Sequence, residues 1–132
     1  MIDHVDLKHR HPLHYRLVQV AKAQLGKRYV WGTEGPNTFD CSGLVDYVYL
    51  RLGLGFGRLT ASMLRRVGKP VHGKLHPGDI ITLGDHHVVL YVGNDTVIHA
   101  PQSGDVVRYA PVSRYLSRAS AVRRIIPWRA GR

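Results

Sequence analysis

The chain reads as an α+β domain in which helices come before strands, and three observations carry that reading. Between residues 14 and 66 apolar side chains recur at three- and four-residue spacing, whereas from about Leu75 the period changes to two. The strand-like runs then follow one another with turn residues between them, without the alternation that a βαβ chain would show. N-terminal helices packed on a C-terminal antiparallel sheet of about five strands are expected.

The first helix lies in HYRLVQVAKAQLG, where Leu17, Val20, Ala21 and Leu25 mark one face and Gly26 is a C-terminal stop. A loop rich in turn formers, GTEGPNTFD, leads into FDCSGLVDYVYLRLG. There Leu44, Val45, Val48 and Leu52 share a face and Gly53 closes the element, so this helix begins at or near Cys41. A third, short helix is expected at TASMLRRVG, with Thr60 as N-cap and Gly68 as terminator. The strands fall at 79–83, 87–92, 96–100, 105–110 and 121–126. The turns LGDH and GNDT join the first three as hairpins, and Asp79 in PGD is expected to fix a turn.

With 132 residues and 44% hydrophobic content, one domain over 1–132 is expected, with residues 1–13 as a polar N-terminal arm. A single cysteine cannot form an internal disulfide, so packing must hold the fold. The formal charge of +10 favours a polyanionic partner. Stacking aromatics are not interleaved with the basic run from Arg114 to Arg132, which argues against nucleic acid and for an anionic cell-wall polymer. The N-terminus lacks the apolar core of a secretory signal, and no window approaches the roughly 18 apolar residues of a membrane span. His4, His9, His11 and His14 lie close in sequence, but without a zinc-ligand pattern and with Pro12 among them; neither metal nor cofactor is expected. A monomer is the expected state.

Cys41 at a helix start has a chemical meaning. A free thiol has a pKa of about 8.5, and its reactive thiolate is stabilised by the unpaired N–H groups of a helix N-terminus and by a neighbouring imidazolium. On a strand starting at His87, the side chains of His87, Val89 and Tyr91 share one face, and Val88, Leu90 and Val92 the other. Val97 and His99 share a face on the following strand, so two histidines can be aimed at one place, and a helix packed on that face would bring its N-terminus to them. Cys41, His87 and His99 are therefore candidates for nucleophile, base and orienting group. His99 would hold the His87 ring as a neutral partner, a weaker electrostatic support than a carboxylate.

Four segments in order, YVWGTEGPNTFDCSGLVDYVY, LHPGDIITL, HVVLYVG and TVIHAP, resemble the NlpC-type family of papain-like cell-wall cysteine peptidases from about Ala21 to Arg124. The resemblance implies a papain-like α+β fold, Cys41 as nucleophile, His87 as general base and acid, and His99 as the third residue. It further implies that Tyr29 supports an oxyanion hole with the Cys41 N–H and that Asp40 and Ser42 line the substrate pocket. The implied reaction is cleavage of the γ-D-glutamyl to diamino-acid bond of peptidoglycan stem peptides at the bacterial wall, without a metal. Val89 stands where the family often has glycine, and by strand parity it is expected to narrow the cleft beside His87. His86 lacks the spacing to Tyr91 that marks His87 as the base.

Other functions remain open on the same residues. An amidase or acyl transferase would use the same scaffold with a different bond or acceptor, and a non-catalytic basic wall-binding module would not need the thiol. Delivery to the wall would come with a phage, through a specialised system or as a domain of a longer exported protein.

Overall fold

A computed structural model describes residues 12–127, and the chain there forms a six-stranded antiparallel sheet with helices on one face and a single helical turn on the other. The expected arm lies outside the described residues except for Pro12 and Leu13, the latter opening α1 (Leu13–Lys22). Two short strands, β1 (Arg28–Tyr29) and β2 (Thr38–Phe39), flank the loop before α2 (Cys41–Arg51). A four-residue α3 (Ala61–Leu64) precedes β3 (Lys69–Pro70), β4 (Ile80–Leu83), β5 (His87–Gly93), β6 (Thr96–His99) and β7 (Arg108–Pro111). The chain closes with α4 (Ser113–Leu116) and β8 (Ala121–Arg124). The sheet order is β3-β8-β4-β5-β6-β7, so the expected strands are all present and β3 adds an edge.

The alternation in β4 to β6 divides the apolar residues between two cores. Ile80, Val88, Leu90 and Ile98 face α1 and α2, where Leu17, Leu44, Val45 and Val48 complete the larger cluster. Ile81, Val89, Tyr91 and Val97 face the other way and meet Ala110, Val112 and Tyr115. The sequence-based expectation that α2 packs on the His87 face is thereby corrected: Leu44, Val45 and Val48 form a broad apolar stripe, and the face built of Val88, Leu90 and Ile98 is the one able to bury it.

Several boundaries move because side chains and loops compete for the backbone. The helical turn after Thr60 is capped as expected, its Oγ1 accepting from Met63 N–H at 3.3 Å. It ends early, because the Arg123 guanidinium donates to the carbonyls of Val67 at 2.7 Å and Gly68 at 2.8 Å and ties that stretch to β8. The expected strand 105–110 begins only at Arg108 in the main sheet. Its first residues instead hold the approach to β1: Tyr29 N–H donates to Asp105 at 3.0 Å, and Val107 N–H donates to Lys27 at 2.8 Å. That detour fixes where Tyr29 sits. Asp79 anchors its turn, accepting from His76 N–H at 2.8 Å and pairing with Arg124 at 2.7 Å.

Candidate active site

Asp40 organises the start of α2. Its backbone is extended and its Oδ1 accepts from Gly43 N–H at 2.7 Å, which makes it the N-cap and sets Cys41 as the first helical residue. Its Oδ2 accepts from Gly32 N–H at 2.9 Å and from Arg58 Nη2 at 2.8 Å, so one carboxylate ties the helix start, the preceding loop and a distant arginine together. Ser42 Oγ donates to Asp40 Oδ1 at 3.3 Å and accepts from Arg58 Nη1 at 3.1 Å. Arg58 also pairs with Asp46 at 3.0 Å and Glu34 at 3.1 Å.

Above this network lies a cleft of about 280 Å³, whose walls include Tyr29, Trp31, Asp40, Cys41, Ser42 and Arg58. Trp31 is 82% exposed at its rim, an unusual position for so large an apolar ring. The cysteine is 9% exposed, and its S–H donates to the main-chain carbonyl of His86 at 3.7 Å. The N–H of Val88 also approaches the sulfur, so the thiol rests against the main chain on both sides of His87.

His87 and His99 meet as their strand positions require. The register Leu90↔Ile98 places His99 across from Val89 and diagonal to His87 on one face. His87 Nε2 and His99 Nδ1 are 2.9 Å apart. Tyr115 Oη lies 3.2 Å from His99 Nε2, extending the pair to a third ring. Val89 is fully buried in the cluster that contains Tyr115, and like His87 and His99 it is not among the residues that line the cleft.

The electrostatics favour neutral groups. Burial pushes the Cys41 thiol up, the Asp40 carboxylate adds to that, and the N–H groups of Ser42, Val88 and Cys41 only partly oppose it. Burial and then Arg118 hold His87 well below the ordinary imidazole value. His99 is lowered by burial, by His87 and by Arg108. Burial thus works against the charge separation that the helix N-terminus and a neighbouring imidazolium would favour. A neutral imidazole and a protonated thiol can still carry out acyl transfer, with the proton moving as the sulfur attacks.

Sequence reasoning overlooked Arg58 and Tyr115. Arg58 follows Gly57 in GFGRL and Tyr115 lies in SRYLSR, and neither has a local pattern that points to the cysteine or the histidines. Among the described residues no three His, Cys, Asp or Glu side chains gather to hold a metal ion, and no helix is long and apolar enough to cross a membrane.

Comparison with known proteins places this geometry among relatives. The NlpC/P60 family model matches residues 26–124. A probable endopeptidase p60 of Listeria welshimeri is 36% identical over 92 residues, which span 67% of this chain and 18% of that protein, less than a fifth of its length. The solved structure of NlpC2 from Trichomonas vaginalis superposes with a TM-score of 0.78 at 36% identity, covering 89% of this chain and 48% of that one. That of the peptidoglycan hydrolase RipB from Mycobacterium tuberculosis gives a TM-score of 0.78 at 26% identity, over 96% of this chain and 70% of that one. With its family match running from the end of α1 to the last strand, over the cysteine and both histidines, the chain belongs to the NlpC/P60 family.

Proposed function

We propose that this chain is a cysteine endopeptidase of peptidoglycan stem peptides, cutting the γ-D-glutamyl to diamino-acid bond through a thioacyl intermediate on Cys41. The observation that carries the reading is the placement of a lone, cleft-lining cysteine at a capped helix start, against the strand residue whose imidazole is held by a second histidine. Cys41 Sγ attacks the scissile carbonyl while its proton passes to His87, whose ring nitrogen opposite His99 is the base. The oxyanion that forms is met by the Cys41 N–H and the Tyr29 hydroxyl. Tyr29 suits that role as a donor, because burial and the nearby Cys41 and Asp40 raise its hydroxyl and keep the proton on it. As the tetrahedral intermediate collapses, the C–N bond breaks and His87 returns the proton to the leaving amine. Water then attacks the thioester, gives a proton to His87 and releases the glutamyl carboxylate and the thiol.

Asp40, Ser42 and the Arg58 network form the floor on which the stem peptide rests, and Trp31 provides an apolar wall. Exposed Arg108, Arg114 and Arg118 give the protein attraction for anionic wall polymer. The test compares wild type with Cys41→Ala on purified peptidoglycan and soluble stem peptides, with products identified by mass spectrometry. A new N-terminal diamino acid formed by wild type alone is expected. Cleavage next to the sugar would replace this reading with an amidase, and activity retained by a folded Cys41→Ala would overturn the role of the thiol.

A further inference from the structure

The hydrogen-bonded pair of histidines continues into a third ring that the proposed chemistry does not use. Tyr115 is 7% exposed, its Oη is 3.2 Å from His99 Nε2, and the Arg118 guanidinium lies over its ring at 5.8 Å. Val89, fully buried and opposite His99 in the strand register, lies in the same apolar cluster as Tyr115.

A neutral imidazole has one N–H and one lone pair, so protons along this column are ordered together. In one ordering His87 Nε2–H donates to His99 Nδ1, His99 Nε2–H donates to Tyr115 Oη, and His87 Nδ1 keeps its lone pair. In the other the tyrosine donates, every bond reverses, and His87 Nδ1 carries a proton and cannot take one from a thiol. Only the first ordering leaves an acceptor for His87 Nε2–H once the ring has become an imidazolium.

We infer that Tyr115 is a positioning residue whose hydroxyl accepts from His99 Nε2–H, fixing the tautomers of both histidines so that His87 Nδ1 is the base. The inference rests on the peptidase reading for its consequence in turnover, but the proton ordering is measurable without substrate. Tyr115→Phe keeps the ring and its packing and removes the acceptor. His99 then loses the partner of its Nε2–H and shifts to the Nδ1–H tautomer, which reverses the bond to His87. Losing a neutral hydrogen bond of ordinary strength lowers kcat by about five- to tenfold, with little change in KM.

The experiment records ring nitrogen shifts of 15N-histidine-labelled protein at pH 7 together with stem-peptide kinetics. Expected are an Nε2–H His99 in wild type, an Nδ1–H His99 in Tyr115→Phe, and the fall in kcat. A wild-type His99 that is already Nδ1–H overturns the inference, even should the variant fail to fold. A fall in kcat without the tautomer change, or the change without the fall, overturns it as well. Should wild type cleave no stem peptide, the peptidase reading fails by itself, while the ring shifts still decide the proton ordering.

Discussion

Replacing Asp40 with alanine should make the protein less stable and its thiol more acidic, two effects that seldom travel together. Of the four partners of the carboxylate, the long bond from Ser42 at 3.3 Å adds little, and the other three set the stability cost. The helix cap to Gly43 contributes about 1 kcal/mol, and the bond from Gly32 N–H about another. Arg58 is 35% exposed and keeps Asp46 and Glu34, so its share is discounted to about 1 kcal/mol. A loss of about 3 kcal/mol lowers the melting temperature of a domain this size by roughly 10 °C. At the same time the Asp40 charge, after burial, is what raises the Cys41 thiol, so its removal lets the thiolate form at lower pH. Circular dichroism gives the first quantity, and the rate of iodoacetamide labelling against pH, read by intact mass, gives the second. Local opening of the weakened helix start would lower the midpoint too, by rehydrating the thiol, so Asp40→Asn, which keeps a helix cap and removes only the charge, is labelled alongside and should show the same fall. A midpoint that stays put or rises in either variant would therefore refute the electrostatic argument whatever the melting temperature does.

Two further changes test the scaffold. His99 is 4% exposed and held at about 4 against an ordinary 6.5, so between those values the folded state binds fewer protons than the unfolded one. Stability is then full above about pH 6.5 and falls as pH drops towards 4; urea unfolding should show about 2 kcal/mol less from this residue at pH 5 than at pH 7, and a shallower dependence in His99→Asn. Gly43→Ala would ordinarily strengthen a helix, but here the new Cβ would lie 2.1 Å from the Thr33 carbonyl oxygen and 2.9 Å from Glu34 Cα. A loss of about 3 kcal/mol is expected in denaturant unfolding, and a neutral or stabilising result would show that the loop before α2 does not pack against it as described.

What could be read from the sequence was whatever local periodicity and chemistry encode. Leu44, Val45 and Val48 specified α2, and the alternation through HVVLYV specified β5 with its two faces, because each residue's partner lies within a few positions. The pairing of His87 with His99 followed from strand parity and a short hairpin, in which Asn94 and Asp95 take the positive φ that such a turn demands. Which face of the sheet received α2 did not follow, since both faces of β5 are apolar and only the summed surface of Ile80, Leu90 and Ile98 decides it. The two-residue strands β1 and β2 escaped for a different reason: each is too short to show a period, and β1 is also bridged to Val106, nearly eighty positions away. Separation along the chain also hid Arg58 and Tyr115, whose partners lie 12 to 24 residues off with no periodic relation to them.

The resting electrostatics also bear on how such a site would stay selective. Burial first, and then Asp40 near the thiol and Arg118 near His87, oppose the charge that each group would acquire. A substrate carbonyl relieves that opposition at the thiol under the peptidase reading, because attack moves negative charge from sulfur to oxygen, away from Asp40 and towards the Cys41 N–H and Tyr29. The charge at sulfur is then never fully developed, and the cost of burying a thiolate next to a carboxylate is largely avoided. On that same reading the imidazolium still forms, and a hydrogen bond from it to a neutral His99 would stabilise it without a counter-charge. A site arranged in this way gains little reactivity towards small electrophiles from its helix N-terminus. Under the peptidase reading its reactivity would depend on a bound peptide that carries the developing charge towards the Cys41 N–H and Tyr29.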